Sequence, residues 1–357
     1  MNSILSINAR FLTQSLTGVQ RYSIEVLNAL DDLLQPGQAI AYCPKGAKMQ
    51  VSWKKIHLEE FGQLKGNLWE QIELLRISKG GLLFSPSNIG PYLHAKQVVT
   101  IHDANVFASP GAYSLPFRLK YQLSFKRMAR IALHIFTVSE FSKSELIKFC
   151  DMAPENVEVI PLGREHFERV QPDPLALTKH NLGHKPYLLT VGSNSPHKNF
   201  RGLYEVIKTI NPQDYEVVVV GGTFSKIFQQ GETSNNIPTC VRRLGYVTDE
   251  ELKALYQHAT AFILPSKYEG FGFPVLEAMT CGCPVTCSNV ASLPEVGGDA
   301  VLYFDPNIPG EMETKIRQIM SSEEMRSNLI ERGKKQAMNF SWKNTALSVW
   351  KSLQTYL

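Results

Sequence analysis

Residues 260–288 read TAFILPSKYEGFGFPVLEAMTCGCPVTCS, with one short apolar run on each side of a helical segment. The runs TAFILPS and GCPVTCS have the length and apolar character of buried strands. Between them, Pro274–Met279 predicts a helix, because proline is well suited to the first turn, where its missing N–H loses no bond. Strand, helix and strand in this order predict a parallel pair joined by a crossover helix.

The same alternation extends along the whole chain and falls into two units. Strands are predicted in the first unit at SILSINA, QAIAYC, GLLFSPS, QVVTIHD, HIFTVSE and VEVIPLG, and in the second at PYLLTVGS, YEVVVVGG, VRRLGYV, TAFILPS, GCPVTCS and AVLYFD. Helical segments are predicted between them at Val19–Leu34, Leu68–Ser78, Pro116–Ala132, Ser142–Cys150, Asn199–Ile210, Asp249–Gln257, Pro274–Met279 and Gly310–Phe340. The segment 164–185 lacks strong periodicity and predicts a linker. We therefore expect an α/β protein with two doubly wound, Rossmann-like domains, residues 1–165 and 166–340, that face each other across a cleft.

Composition is that of an ordinary enzyme. The chain has 357 residues, 43% hydrophobic and 20% charged, and its length favours two domains over one core. The first twenty residues lack a signal-peptide pattern, and no window has the eighteen or so apolar residues that cross a bilayer, so a cytoplasmic location is expected. Cys281, Cys283 and Cys287 lack the C-x2-C spacing of zinc ligands, so buried thiols and no metal site are predicted.

The net charge of +4 lies entirely within residues 1–165. Within them, the predicted helix at 117–131 carries five basic residues and no acid: Arg118, Lys120, Lys126, Arg127 and Arg130. Such a helix fits either peripheral contact with anionic lipid headgroups or a solvated surface, and the sequence leaves both open.

The turn that follows TAFILPS combines two carboxylates with two glycines. Gly270 and Gly272 let backbone approach a ligand closely, and the N-terminus of the following helix attracts an anion such as a diphosphate. Glu277, one turn into that helix, can accept hydrogen bonds from ribose hydroxyls, and Glu269 on the loop can reach a sugar. An isolated glutamate pair is most often a pair of solvated charges. Here it stands beside a glycine turn, a strand end and a helix start, which favours function.

This stretch resembles the signature of family-4 retaining glycosyltransferases, the GT-B fold group that includes many bacterial polysaccharide mannosyltransferases. Further segments match the family in order: TGVQRY, VVTIHDANVF, FTVSEFSKSEL, VIPLG, TVGSNSPHKN, LGYVTDEELKALY and SNVASLPEVGGDAVLYFDP. The resemblance implies the GT-B fold, an acceptor-side first domain and a second domain that binds the nucleotide sugar. It also implies no required metal or other cofactor, and a C-terminal helix within 341–357 that crosses back onto the first domain.

The resemblance also implies roles for residues of the second domain. Lys198 is the expected diphosphate ligand that stabilises the leaving nucleotide. Many relatives carry arginine where this chain has His197, and some carry one where it has Ser193. His197 is expected to add charge only when protonated. Val247 follows a strand at which the family packs the nucleotide base. The expected donor-binding set is Ser193, Lys198, Val247, Glu269, Gly270, Phe271, Gly272, Phe273 and Glu277, together with Gly18 of the first domain.

Four residues of the first domain receive roles in the same way. Gly18 matches the family's glycine loop over donor phosphate and sugar, and Arg21 and Asp103 are expected on the acceptor side. His102 matches a histidine near the transferred sugar and is counted with Glu269 and Lys198 as catalytic. It orients the sugar and does not act as a base.

The predicted function is retaining transfer of a hexose, best matched by mannose from GDP-mannose, to a lipid-linked or polysaccharide glycan such as a lipopolysaccharide O-antigen. The expected location is the cytoplasm or the inner face of the membrane, without nucleic acid as a partner. Two other functions stay open: a non-catalytic subunit that binds nucleotide sugar, and a nucleotide-sugar epimerase.

Overall fold

The computed structural model describes residues 4–222 and 237–357, which divide into two units. The first unit holds the chain up to Phe107, Leu119–Gly163 and Ser341–Leu357. The second holds Ala108–Arg118 and the described residues of Arg164–Phe340. The C-terminal helix therefore belongs to the first unit. Nothing in the sequence indicated that residues 108–118 would belong to the second.

The strands follow the order of the predicted apolar runs. They are β1 Leu5–Asn8, β2 Ala39–Cys43, β3 His57–Glu60, β4 Leu83–Ser85, β5 Gln97–Thr100, β6 His134–Thr137, β7 Val157–Val159, β8 Tyr187–Val191, β9 Glu216–Val220, β10 Val241–Gly245, β11 Ala261–Leu264, β12 Val285–Ser288 and β13 Leu302–Phe304.

Helices alternate with these strands. They are α1 Gly18–Leu33, α2 Gly66–Leu68, α3 Leu75–Ile77, α4 Asn105–Ala108, α5 Leu115–Ile131, α6 Glu140–Cys150, α7 Glu165–Arg169, α8 Ala176–Lys179, α9 Phe200–Ile210, α10 Asp249–His258, α11 Phe273–Thr280, α12 Leu293–Gly297, α13 Glu311–Ser321, α14 Glu323–Ala337 and α15 Trp342–Gln354.

Each unit is built on one parallel sheet. In the first unit the strand order is β3-β2-β1-β4-β5-β6-β7, and in the second it is β10-β9-β8-β11-β12-β13. The order reverses between β1 and β4 in one sheet and between β8 and β11 in the other. Ligands of doubly wound sheets bind at such switch points, beyond the carboxyl ends of the strands. The prediction of two Rossmann-like domains is confirmed.

Burial on both faces explains why the strands were predictable. All four residues of β11 are fully buried, and the valines of β9 are nearly so. Helices cover the second sheet with apolar side chains from α9, α13 and α14, which pack on β9 and β11. Near-continuous apolar runs are typical of strands covered on both faces.

Several details differ from the predicted elements. The short helices α4, α7, α8 and α12 were not predicted, and α7 and α8 lie in the segment 164–185 that was predicted as a linker. The edge strand β3, HLEE, was not predicted, because it is short, largely polar and paired on one side only. The segment predicted as one helix at Leu68–Ser78 contains a π-helical turn, Trp69–Leu74, between α2 and α3. The long predicted helix at 310–340 is two helices, because Ser322 ends α13 and its side chain caps α14.

Candidate functional site

The loops after β8 and β11 meet at the switch point of the second unit. Lys198 Nζ lies 2.6 Å from Glu269 Oε1, and the Asn199 side-chain amide donates to the Pro265 carbonyl at 3.0 Å. The backbone N–H of Lys267 also donates to the His197 carbonyl at 2.7 Å. Asn199 itself has φ 57°, a conformation that asparagine tolerates, and it ends one turn and begins α9. The structure thus brings together Lys198 and Glu269, two of the residues singled out in the sequence.

Glu269 is held from two sides. The residue is 8% exposed, and Ser266 Oγ donates to the same Oε1 at 2.6 Å. Ser292 Oγ donates to its backbone carbonyl at 2.9 Å, which fixes the loop. Among the described residues, no donor is bonded to Oε2. One oxygen of this carboxylate is therefore anchored, and the other can accept from a ligand.

The glycine turn before α11 depends on its backbone geometry. Gly272 has φ 109°, and a Cβ there would lie 2.8 Å from Leu293 Cδ2, so no other residue fits without strain. Phe271 packs edge-on against Phe273 and against Phe340, with ring centroids 6.1 and 5.7 Å apart. Pro274 lies in the first turn of α11, as predicted. Gly270 precedes this turn. Helix α11 begins directly after the turn, so the positive end of the helix dipole lies there.

Glu277 is held by two side chains that the sequence did not single out. His166 Nε2 lies 3.3 Å from Glu277 Oε1, and the Tyr256 hydroxyl donates to Oε2 at 3.3 Å. His166 comes from α7 and Tyr256 from α10, so chain spacing gave no signal that the three residues meet.

His197 adds no positive charge beside Lys198. Burial, with the charge of Lys198, lowers the pKa of His197 to about 4, so the ring is neutral at neutral pH. Its Nε2 lies 3.2 Å from Ser195 Oγ, which in turn accepts from Ser193 Oγ at 3.2 Å. Tyr113 stacks on the His197 ring, and Phe117 stacks on Tyr113. The aromatic stack shows why residues 108–118 belong to the second unit.

Val247 lies at the carboxyl end of β10, directly before α10. It is buried, and the next residue, Thr248, forms a reciprocal capping box with Glu251. This box fixes the start of α10 and with it the backbone around Val247. Val247 therefore lies directly before a capped helix start.

His102 lies in the first unit, just beyond β5. It is buried, and its Nε2–H donates to the Pro86 carbonyl at 3.1 Å, while Tyr22 packs edge-on against the ring at 4.7 Å. Burial lowers the pKa of His102 to about 4. A neutral ring with this pKa is a poor general base at neutral pH.

The other predicted residues of the first unit lie on helix starts. Gly18 is the first residue of α1, and Arg21 follows one turn later. Asp103 Oδ1 accepts from the backbone N–H of Asn105 at 2.8 Å and so begins α4. All three follow carboxyl ends of strands in the first sheet.

A buried polar cluster at the switch point of the first unit was missed by the sequence analysis. Glu70 Oε1 accepts from Asn8 Nδ2 at 2.7 Å and from Arg10 Nε at 3.0 Å. Burial and the charge of Arg10 also lower the pKa of Lys120 on α5. Glu70 belongs to the π-helical turn, and such turns are frequent at functional sites.

The basic helix predicted in the sequence is α5, which also exposes leucines. Leu119 and Leu123, one turn apart, are 47% and 69% exposed. Arg127 Nε donates to the Tyr92 carbonyl at 3.0 Å, which places Leu93, 76% exposed, beside α5. Lys126 and Arg130 are exposed on the same helix.

The described part of the chain, residues 4–222 and 237–357, shows neither a candidate metal cluster nor a membrane-spanning helix. It contains no group of three or more His, Cys, Asp or Glu side chains that could hold a metal ion. None of its helices is both long and apolar enough to span a bilayer. The thiols of Cys281, Cys283 and Cys287 are free, and burial raises the pKa of each.

Comparison with known proteins gives one family. Residues 177–336 match the model described as glycosyl transferases group 1. The chain is 36% identical to O-antigen chain mannosyltransferase B of Escherichia coli, over 92% of this chain and 93% of the relative.

Solved structures share the fold at low sequence identity. Sucrose-phosphate synthase of Thermosynechococcus elongatus matches with a TM-score of 0.77 and 17% identity, over 99% of this chain and 98% of that one. HepE of Anabaena, solved in complex with UDP-glucose, matches with a TM-score of 0.74 and 15% identity, over 99% of each chain. The fold is therefore GT-B, and the chain belongs to the group 1 glycosyltransferases.

Proposed function

We propose that this enzyme transfers mannose, with retention of the anomeric configuration, from GDP-mannose to a lipid-linked glycan in O-antigen synthesis. The name of the Escherichia coli relative supports the sugar and the type of glycan. The UDP-glucose complex of HepE supports a nucleotide sugar as donor class. The observation that carries the proposal is the Lys198–Glu269 pair at the switch point of the second unit, directly before the N-terminus of α11.

The donor is held by charge and by carboxylate oxygens in this proposal. Lys198 and the positive end of α11 bind the diphosphate, because both offer positive potential to an anion. Glu269 keeps Oε1 on Lys198 and Ser266 and accepts sugar hydroxyls at Oε2. Glu277 accepts the ribose hydroxyls, and Val247 packs on the base.

The reaction follows from stabilising the leaving group. The bond from the anomeric carbon to the phosphate oxygen breaks, and the bond to the acceptor oxygen forms on the same face. The acceptor proton passes to the departing phosphate oxygen, and His102, whose pKa is lowered by burial, is not assigned as the base. His102 orients the sugar, and Lys198 with the α11 dipole stabilises the negative charge that develops on the diphosphate.

On the acceptor side we propose Arg21 and Asp103, with Gly18 at the loop over the donor. The positions of these residues, on helix starts that follow strands of the first sheet, support the acceptor role, because ligands of this fold bind beyond the carboxyl ends of the strands.

We also propose that the enzyme works in the cytoplasm, at the inner face of the membrane, through α5. Exposed leucines beside basic side chains fit an anionic lipid surface. Leu123→Ser is expected to lower binding to phosphatidylglycerol vesicles several-fold, measured by co-sedimentation. Leu175→Ser, in a similarly exposed position of the second unit, serves as the control. Equal binding by both variants, or equal binding to neutral vesicles, contradicts this surface.

A panel of sugar nucleotides tests the donor. GDP-mannose is expected to raise the melting temperature more than UDP- or ADP-sugars, because a ligand that binds only the folded state stabilises it. Transfer to a lipid-linked acceptor, followed by NMR of the product, should show an α-mannoside, formed with retention. An inverted product contradicts the mechanism.

Incubation with the donor alone separates the two alternatives. Slow hydrolysis of GDP-mannose supports a transferase, whereas a C2-epimerised sugar nucleotide supports an epimerase. Tight donor binding without transfer to any lipid-linked acceptor supports the non-catalytic subunit.

A further inference from the structure

Glu277 is clamped between two buried side chains from different helices. The His166 side chain is 2% exposed and the Glu277 side chain 12% exposed. Tyr256 is fully buried, with its hydroxyl 3.3 Å from both Glu277 Oε2 and the Pro274 carbonyl. The His166 ring also packs edge-on against Phe273, the first residue of α11, with centroids 5.4 Å apart. These two contacts tie His166 to α11.

The direction of each hydrogen bond follows from chemistry. A carboxylate only accepts, so His166 donates from Nε2–H to Oε1. Burial raises the pKa of Tyr256 well above its usual value, so its hydroxyl stays protonated and donates. Oε1 of Glu277 thus receives a hydrogen bond from His166, and Oε2 shares the single Tyr256 proton with the Pro274 carbonyl. Because an ionised carboxylate offers about four lone-pair sites, each oxygen keeps capacity for a ligand hydroxyl.

The two hydrogen bonds from His166 and Tyr256 to Glu277 affect how the carboxylate can bind a ligand with two adjacent hydroxyls. A carboxylate can rotate about its terminal torsion, which has broad preferences, and rotation would misalign both oxygens for a vicinal diol. One donor on each oxygen, each from a buried residue, opposes that rotation.

We propose that His166 and Tyr256 are positioning residues that orient Glu277 toward the 2′- and 3′-hydroxyls of the nucleotide ribose. This inference rests on the proposed function, in which Glu277 binds ribose. The two residues do not touch the nucleotide. They act by fixing the direction in which the carboxylate accepts.

The ratio of the affinities for a ribonucleotide and its 2′-deoxy analogue, measured in each variant, tests the inference. GDP, UDP and ADP are each compared with their 2′-deoxy analogues by titration calorimetry, on the wild type and on His166→Leu, His166→Gln and Tyr256→Phe. Of GDP, UDP and ADP, the one that the wild type binds most tightly is expected to bind about tenfold more tightly than its 2′-deoxy analogue. This is the usual scale of one hydrogen bond to a charged group. In His166→Leu this ratio should fall to about two.

Conservative and distant variants complete the design. In His166→Gln the amide nitrogen of the introduced side chain can occupy the place of Nε2, so this variant should recover most of the discrimination. Tyr256→Phe should lose about half of it on a logarithmic scale. His184→Leu, an exposed histidine of the same unit, is the control and should match the wild type.

Turnover should change less than donor KM in His166→Leu, because chemistry occurs at the sugar. Melting temperatures of all variants report folding separately.

The outcomes separate the inference from the proposed function. If the wild type ignores the 2′-hydroxyl in every nucleotide pair, or binds none of them, the ribose role of Glu277 fails and the inference fails with it. If the wild type discriminates and His166→Leu keeps the full ratio, only the positioning role is overturned. Equal loss in His166→Leu and His166→Gln also overturns it, since that pattern reports packing rather than a donor.

Discussion

The two switch points of this molecule have the same topology but differ in how their charges are buried. At β8 and β11, Lys198 pairs with Glu269, and the side chains are 15% and 10% exposed. At β1 and β4, Arg10, whose side chain is 11% exposed, pairs with Glu70, whose side chain is 2% exposed and also accepts from Asn8. Glu70 is the least exposed of these four charged groups, and a buried charge that loses its partner is costly. One topology thus gives the charge pair that we propose binds the donor and a second pair that joins Arg10 to Glu70 beside Asn8.

Removal of the cation at the second switch point should have the largest effect. Lys198→Met is expected to lower kcat/KM by about a hundred- to a thousandfold, because it removes a positive charge from the leaving diphosphate. Steady-state kinetics with GDP-mannose measures this. Lys208→Met, on the exposed side of α9, is the matched control and should keep wild-type kinetics. A Lys198→Met enzyme within threefold of the wild type would show that this pair does not serve the donor.

Removal of the cation at the first switch point should act on stability. Arg10→Met leaves Glu70 buried without its cation, and the free energy of unfolding is expected to fall by about 3 kcal/mol. Chemical denaturation measures it. The double variant Arg10→Met with Glu70→Gln should regain part of the loss, because the buried charge is gone. An unchanged unfolding free energy in Arg10→Met would remove the contrast between the two switch points.

One buried histidine in each unit should make stability depend on pH. The folded pKa of His102 and of His197 is about 4, below the usual value of 6.5. The unfolded chain therefore binds more protons between these values, and stability falls as pH decreases from about 6.5 to 4. The expected slope is about 1.4 kcal/mol per pH unit for each histidine. Denaturation of the wild type, His102→Gln and His197→Gln at pH 7 and 5 should show smaller slopes in the variants. A slope unaffected by either substitution contradicts the burial argument.

The sequence predicted features that depend on neighbours along the chain. The strands were predictable because burial on both faces gives near-continuous apolar runs, and α11 because Pro274 follows a glycine turn. Lys198 and Glu269 were each found at a strand end, where the topology brings loops together.

Features that depend on distant residues were not predictable. His166 and Glu277 are 111 positions apart, and Asn8 and Glu70 are 62 apart, so no local pattern links either pair. The π-helical turn at Trp69–Leu74 is defined by its backbone hydrogen bonds, and no pattern of residue types in the sequence predicted it. Burial lowers the pKa of His197 and keeps the ring neutral, and the sequence does not show that burial.

The central claim is that the glycine turn and α11 bind the donor with two carboxylates in different roles. Steady-state kinetics of Glu269→Ala and Glu277→Ala tests it most directly, with kcat and donor KM measured separately for each. The account predicts that Glu277→Ala raises donor KM about tenfold and that Glu269→Ala chiefly lowers kcat, by about a hundredfold. Wild-type kcat and KM in both variants would contradict it.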